Sequence, residues 1–474
     1  MPSSPRDRIE LEYAEALEQF VPTKPSFRSR RSKIFTFLLL LSSLGLILYL
    51  TYYFGAFSTL HVYLVFMCYT LPVYFLLDVM RWMAGRLPLS RGHIARTGAL
   101  LCVVLYVLLS LTNMPRTYNP SLAPKGVYFI ASNLFNSENV LPAYSETLLR
   151  IAAEVGYDRI FVSIYENNSK DRTPQLLHEL DTKLAAKGVA RRIRTEVLPD
   201  SFYHQDRIDK LATLRNRALE PLYTEAQHGL HGHSFDKVIF INDIFFTPET
   251  FYKLIRTENG QFDQACAVDF WWMGHYDTWI VRDTNGKATR PLWPYFYSWR
   301  DQAIVARRGN VPVNSCWNGI TAFDARWFLP DTNTSAHQYH IPGKTEEHFP
   351  VISRLPFPIQ PHDDGFDAPA TLPIRFRSSN VCYESECLLS SLDMHRIARP
   401  LRPRIFLNTD LAVAYDPATF FMFDWLLRWN LVYPWHLLWE RLISNGLFST
   451  AGEIDRSDYP CEIKKMNHLW VPPT

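Results

Sequence analysis

"VYFIASNLFNSENVLPAYSETLLRIAAEVGYDRIFVSIYE", residues 127 to 166, decides the architecture. "VYFIASNLF" is a near-continuous apolar run of strand length. "LPAYSETLLRIAAEVG" repeats its apolar residues at helical spacing and closes on Gly156, and "RIFVSIYE" is a second buried-strand pattern with a polar end. Two such strands joined through a helix form a parallel pair, because a parallel neighbour needs a crossover. The alternation continues with "TPQLLHELDTKLAAKG" (173–188) as helix and a strand around "IRTEVL" (193–198). "RIDKLATLRNRALEPLYTEA" (207–226) reads as a long helix and "KVIFINDIFF" (237–246) as a further strand. The sequence therefore predicts an α/β domain with a mostly parallel sheet covered on both faces, whose ligands gather at the C-terminal strand ends. It has no Walker loop, no GxGxxG and no internal repeat.

Downstream of Ala265 the chain turns aromatic and irregular, in "DFWWMGHYDTWIVRD" (269–283), "PLWPYFYSWRD" (291–301) and "SCWNGITAFDARWF" (315–328). No polar linker separates this half, so it is expected to continue the same domain. Phe420 to Leu442 is apolar but interrupted by Asp424, Arg428, Pro434 and His436. That pattern fits a packed helix pair or a membrane-facing surface better than a further span.

Upstream, 34–57, 60–79 and 97–112 are apolar runs that read as three membrane spans. Arg28, Arg30, Arg31 and Lys33 precede the first, and Arg81, Arg86, Arg91 and Arg96 lie between the second and third. Three spans put both basic clusters on the cytosolic side. The expected organisation is a cytosolic tail 1–33, a transmembrane region 34–115, a proline-containing stem 116–126 and a luminal domain 127–474. A single span with two interfacial segments is the alternative, given Pro72 and Asp78, and either odd count delivers the domain to the same side. A net charge of +2 over 474 residues gives no reason to invoke nucleic acid. Asn167 and Asn333 stand in acceptor sequons. The five downstream cysteines, Cys266, Cys316, Cys382, Cys387 and Cys461, allow at most two internal disulfides, with pairing open.

Chemistry is sought at the strand ends. "SIYENNSKDRT" (163–173) crowds Glu166, Asn167, Ser169, Asp171 and Thr173 into one turn: either helix capping by Asp171 or Thr173, or a nucleotide-sugar site in which an acid bonds base or ribose. Arg215, Asn216 and Arg217 are solvated helix charges or donor contacts. Asn242 and Asp243 are a strand end before a helix starting at Thr247–Pro248, or part of a metal site.

The order of these pieces resembles the donor half of a GT-A glycosyltransferase. With "YFIASNLFNSENVLPAY", "FINDIFF", "SCWNGITAFDARWF" and "SECLLSSLDMHR" added, the region from about Val127 to Tyr415 resembles the fungal capsule-associated α-1,3-mannosyltransferases of glycosyltransferase family 69. That resemblance implies a GT-A-like fold and transfer of mannose from GDP-mannose to a mannose-containing glycan acceptor with retention. It also implies Mn²⁺ or Mg²⁺ and a place in the Golgi membrane with the catalytic domain luminal. A transferase using UDP-glucose or UDP-xylose, and a non-catalytic membrane-anchored glycan-binding or scaffold protein, are the alternatives.

Carried onto this chain, the resemblance implies donor contacts at Glu166, Ser169, Asp171, Arg215, Asn216 and Asn242. Asp243 departs from the usual pair of aspartates separated by one residue, so a single carboxylate would hold the ion with Asn242 or a later ligand. His395 is the later ligand implied. Glu386 and Asp393, seven residues apart, are the catalytic acids alongside Asp243, with Glu386 on the acceptor side. Trp317, Asn318 and Gly319 are the expected acceptor contacts, and Asp277, Arg282 and Asp283 are either further polar contacts or an ion-pair cluster.

Overall fold

The computed structural model describes residues 124–271, 274–329, 371–379, 384–398 and 402–428. No helix among them is long and apolar enough to cross a membrane, and the tail and spans expected in 1–115 lie outside the described residues.

The first half follows the sequence pattern. β1 (Tyr128–Leu134), α1 (Leu141–Val155), β2 (Ile160–Asn167), α2 (Thr173–Ala186) and β3 (Ala190–Glu196) form successive parallel units. Gly156 ends α1 at φ 120°, its N–H returned to the Ala152 carbonyl. After a short α3 (Asp200–Tyr203), α4 (Arg207–Leu219) leads to β4 (Lys237–Ile241), which pairs parallel with β1. The long helix expected over 207–226 stops early. Pro221 has no N–H for an α-helical bond, so the chain tightens into a 3₁₀ turn at Glu220–Tyr223.

β1 and β4 are buried on both faces. Ile130, Ile239 and Ile241 pack with Leu148, Leu177 and Phe251 from α1, α2 and α5 (Pro248–Ile255). Phe129, Val238 and Phe240 pack on the opposite side with Ala212 of α4 and with Trp317 and Phe323. Side chains of a strand alternate faces, so continuous apolar runs here mean a sheet sandwiched between helices.

The aromatic half joins the same sheet, as expected. It supplies β5 (Gln264–Trp271), β6 (Gly274–His275), β7 (Arg282–Asp283), α6 (Trp299–Ala306), β8 (Asn310–Ser315) and β9 (Ile320–Asp324). α7 (Glu386–Ala398), β10 (Ile405–Ala414) and α8 (Pro417–Phe420) follow. The strand order is β3-β2-β1-β4-β9-β5-β10-β8-β7, with β6 on β5. β9 lies antiparallel between β4 and β5, β10 runs parallel to β5, and β8 runs against β10. The sheet is thus mixed and mostly parallel. Of the expected apolar tail, residues to Arg428 are described: Phe423 stacks on Phe270 with centroids 3.9 Å apart, and the rest lies outside the described residues.

Cys266 of β5 is disulfide-bonded to Cys316, which follows β8, while Cys387 is a buried thiol. The other two downstream cysteines, Cys382 and Cys461, lie outside the described residues.

Because β9 runs backwards, its first residue lies beside the last of β4, Ile320 opposite Ile241. The turn feeding it is left-handed at both Asn318 (φ 56°) and Gly319 (φ 74°). A Cβ on Gly319 would meet Val413 at 3.0 Å and Ile244 at 3.1 Å, whereas Gly188, at φ 73°, faces open space. Gly319→Ala is therefore expected to destabilise by about 1–3 kcal/mol, clearly more than Gly188→Ala. Thermal melting of the two full-length variants checks this; equal losses would show that crowding at Gly319 adds nothing.

Candidate active site

Asn242 and Asp243 leave the sheet at the end of β4, and backbone bonds fix their path. The Asn242 N–H donates to the Gly319 carbonyl (2.8 Å), the Ile244 N–H to the Asn242 carbonyl (2.9 Å) and the Phe245 N–H to the Ala414 carbonyl (2.7 Å). Ile244 is fully buried, and Asp243 is left half-buried at the strand-end crevice. Helix α5 starts at Pro248 as the sequence suggests, but its cap is Thr247, whose hydroxyl accepts from the Thr250 N–H. Asp243 therefore has no capping work to do. Desolvation pushes its carboxyl up from 3.8 to about 6, against weaker opposition from its own backbone N–H and the charge of Arg215.

Arg215 is the cation of this crevice. Its Nε donates to Glu386 Oε1 at 2.8 Å, its Nη1 approaches Asn242 Oδ1 at 3.5 Å, and its guanidinium lies 4.2 Å from the Trp317 ring centroid. Burial works against its charge, but the charge and hydrogen bond of Glu386 outweigh it and keep Arg215 protonated. Trp317 Nε1 also points to Asn242 Oδ1, at 3.4 Å. The two residues beside Arg215 face elsewhere. Asn216 clamps Phe376, donating to its carbonyl at 2.7 Å and accepting its N–H at 3.0 Å, and Arg217 donates to the Tyr165 hydroxyl at 2.9 Å and pairs with Glu196.

A second acid group is centred on Asp269, joined to the Asn318–Gly319 turn that accepts the Asn242 N–H. This fully buried carboxylate accepts from Asn318 Nδ2 (3.0 Å), the Asp277 N–H (3.2 Å) and the Tyr415 hydroxyl (3.1 Å), with His275 Nδ1 at 3.3 Å. Burial and the neighbouring charges of Asp269 and Glu386 push Asp277 well above the usual carboxylate range, despite the Asn318 N–H and Arg215.

The strand-end loops after β1 and β2 are laced together. The Asn136 N–H donates to Ser169 Oγ, the Ser137 N–H to Thr173 Oγ1, the Glu138 N–H to Asp171 Oδ2 and the Lys170 N–H to Asn136 Oδ1. Asp171 also accepts the Thr173 N–H at the start of α2. Burial raises its pKa, but the Thr173 hydroxyl and these backbone donors prevail and lower it. Glu166 is buried at the end of β2 and accepts the Ser169 N–H at 2.8 Å. Asn167, the first sequon, is 6 % exposed, with its Nδ2 toward Asn168 and Tyr203.

The remaining expected residues fall inside the protein. Asp393 is gripped by Arg377 through two bonds of 2.8 and 2.9 Å and by Arg396 at 3.2 Å. His395 is buried and donates its Nε2–H to the Asn314 carbonyl at 2.9 Å. Trp317, 1 % exposed, braces Arg215, Asn318 holds Asp269, and Gly319 lets Val413 and Ile244 close in. Asp283 Oδ1 receives the Asn285 and Lys287 N–H groups of its own turn, while Arg282 donates to the Trp279 carbonyl and approaches Glu384 at 4.0 Å. The contribution that sequence reasoning missed is Asp269 with Tyr276 and Tyr415. Its one signal is an acid inside the otherwise apolar strand "ACAVDFW".

Among the described residues no group of three His, Cys, Asp or Glu side chains converges to hold a metal. Asp243 offers one desolvated carboxyl group that forms no ion pair among the described residues, beside the Asn242 amide. That set fits a divalent ion sharing its coordination with a diphosphate and water, not a cage made wholly of protein.

The sequence pattern of the family described as "Cryptococcal mannosyltransferase 1" matches residues 127–393. Alpha-1,3-mannosyltransferase CMT1 of Cryptococcus neoformans is 26 % identical over 228 residues, which cover 44 % of this chain and 49 % of that protein. The chain thus matches about half the length of this curated relative. Among solved structures, the mannosyltransferase PcManGT of Pyrobaculum calidifontis, in complex with GDP-Man and Mn²⁺, is 15 % identical. That match covers 49 % of this chain and 55 % of the other, with a TM-score of 0.25. Glucosyl-3-phosphoglycerate synthase of Mycobacterium tuberculosis is 12 % identical, covering 45 % and 63 %, with a TM-score of 0.26.

Two outcomes follow from the geometry. Arg215→Met strands Glu386 as an unpaired buried charge and should destabilise by about 3–5 kcal/mol, with part of the loss recovered in the Arg215→Met, Glu386→Leu double variant; a lone Arg215→Met that melts like wild type would contradict this. Asp243 loses its proton at lower pH in the unfolded chain than in the folded one, so its ionisation withdraws stability from about pH 4 to about pH 6, and the deficit persists above. Melting curves of Asp243→Asn and wild type should converge below about pH 4, with the variant the more stable above about pH 6.

Proposed function

The chain belongs to the cryptococcal mannosyltransferase 1 family, and from that premise we propose that it moves mannose from GDP-mannose to a mannose-containing acceptor. The bond formed is α-1,3, with retention at the anomeric carbon, on a GT-A-like domain spanning residues 127–474. The observation that carries this reading is Asp243. It is a half-buried, poorly compensated acid at the C-terminal end of a central strand, beside the crevice where such sheets bind their ligands. Its raised pKa is what a carboxylate shows when its intended counter-charge arrives with the substrate.

The laced loops after β1 and β2, with Glu166 between them, form a fixed rim for the nucleoside. When bound, Mn²⁺ or Mg²⁺ neutralises the diphosphate of the departing GDP, and Asp243 with Asn242 would hold it. Arg215, pinned by Glu386 and Trp317, presents its positive field to the same crevice without needing to reorganise. Asp277, whose N–H donates to Asp269 and whose proton affinity burial and the neighbouring acids raise, stands beside the same crevice as a polar contact for an acceptor. Asp393 and His395, engaged by Arg377 and Asn314, hold α7 in place so that Glu386 reaches Arg215.

The same proposal sets the domain in the Golgi lumen, anchored by spans within 34–115 with the N-terminus cytosolic. The basic residues flanking those runs support this orientation, and the Cys266–Cys316 disulfide suits an oxidising compartment.

Full-length protein with GDP-mannose, a mannobiose acceptor and Mn²⁺ should form a trisaccharide. Chelation of the ion should stop the reaction, and Asp243→Ala should abolish it while melting as a folded protein. Normal turnover by Asp243→Ala would remove Asp243 from the site.

A further inference from the structure

Trp271 ends β5 and is 37 % exposed, whereas the buried Trp317 offers no face to a ligand. Exposure alone does not single it out, because Trp299 at the start of α6 is 81 % exposed. Continuity with the acids does. Tyr276 meets the Trp271 ring edge-on at 5.3 Å, Tyr276 in turn meets Tyr415 at 5.2 Å, and the Tyr415 hydroxyl donates to Asp269 at 3.1 Å. The charges of Asp243, Asp269 and Asp277 all bear on Tyr276 and Tyr415. Three rings therefore lead from solvent to the acid cluster beside the crevice.

The backbone beneath the first ring is held in place. Trp271 pairs with Gly274 across the β5–β6 ladder, and Gly274, at φ 142°, lies so close to Pro291 that a Cβ would meet its carbonyl at 2.3 Å. A platform fixed in advance loses little freedom on binding. Its chemistry, an exposed aromatic surface with carboxyl groups beyond its inner edge, matches a hexopyranose. Such a sugar has one face of C–H groups and a rim of hydroxyls.

We propose that Trp271, backed by Tyr276, is the platform on which a sugar ring of the glycan acceptor stacks, displaced from the transferred bond by the width of the Tyr276–Tyr415 pair. This rests on the transferase reading above and adds to it the surface that takes the acceptor. The full-length protein carrying Trp271→Leu keeps apolar bulk but loses the ring. It should raise the KM for mannobiose about tenfold, a loss of about 1.4 kcal/mol, while kcat and the KM for GDP-mannose stay within about twofold. Trp271→Tyr should restore most of the affinity, and Trp271→Ser serves as a second ringless variant should Trp271→Leu fail to fold. An unchanged acceptor KM, or a donor KM that rises equally, overturns the platform and leaves the transferase reading standing. If wild type transfers no sugar, that reading falls instead, and saturation-transfer NMR with mannobiose decides the platform alone. Contact that disappears in the ringless variant supports it, and absence of contact in wild type overturns it.

Discussion

The buried ion pair between Arg215 and Glu386 is the constraint on which the crevice depends. Neither charge would sit there alone, since removing either from water costs several kcal/mol unless a partner and hydrogen bonds replace the solvent. The pair joins α4 to α7, segments 171 residues apart in the chain, and Trp317 and Asn242 close around it. α7 is buried along nearly its whole length, so its other polar side chains need partners as well. Arg377 serves Asp393, the Asn314 carbonyl serves His395, and Ser391 donates to Gln264. One salt bridge thus fixes the wall against which Asn242 and Asp243 are presented.

Sheet order supplies the other wall. The reversed strand β9 separates the parallel blocks β3-β2-β1-β4 and β5-β10, and the left-handed Asn318–Gly319 turn that feeds it rises between the ends of β4 and β5. Asp243, Asp269 with Asp277, and Tyr415 consequently gather from three separate stretches of chain. Burial raises both Asp277 and Asp243, and for Asp277 the neighbouring acids Asp269 and Glu386 add to it.

The first four elements were legible because their signals are local: strand-length apolar runs, helical spacing and Gly156. β9 was not, since "ITAFD" carries no sign of its direction, which comes from long-range pairing. The helix over 207–226 ends sooner than its periodicity suggests, because Pro221 supplies no N–H to continue it. Asp243 could be placed at a strand end from sequence, but Trp317 could not be told from a sugar-binding tryptophan, because burial by Arg215 is a tertiary fact. The seven-residue spacing of Glu386 and Asp393 suggested that both lie near one helix face. A helix buried on nearly all sides instead gives each acid its own arginine, and the second, Arg377, lies in a segment with no helical or strand pattern to announce it.

The most direct test of a mannosyl-transferring crevice built on one aspartate is the identity of the bond it makes. NMR of the product formed by the full-length protein from ¹³C-labelled GDP-mannose and a mannobiose acceptor, beside parallel reactions with UDP-glucose and UDP-xylose, reads donor, linkage and anomeric configuration together. A single new α-1,3-linked mannose, with no product from either UDP sugar, is the expected result. A β-linked residue, or a product from a UDP sugar and none from GDP-mannose, would contradict it.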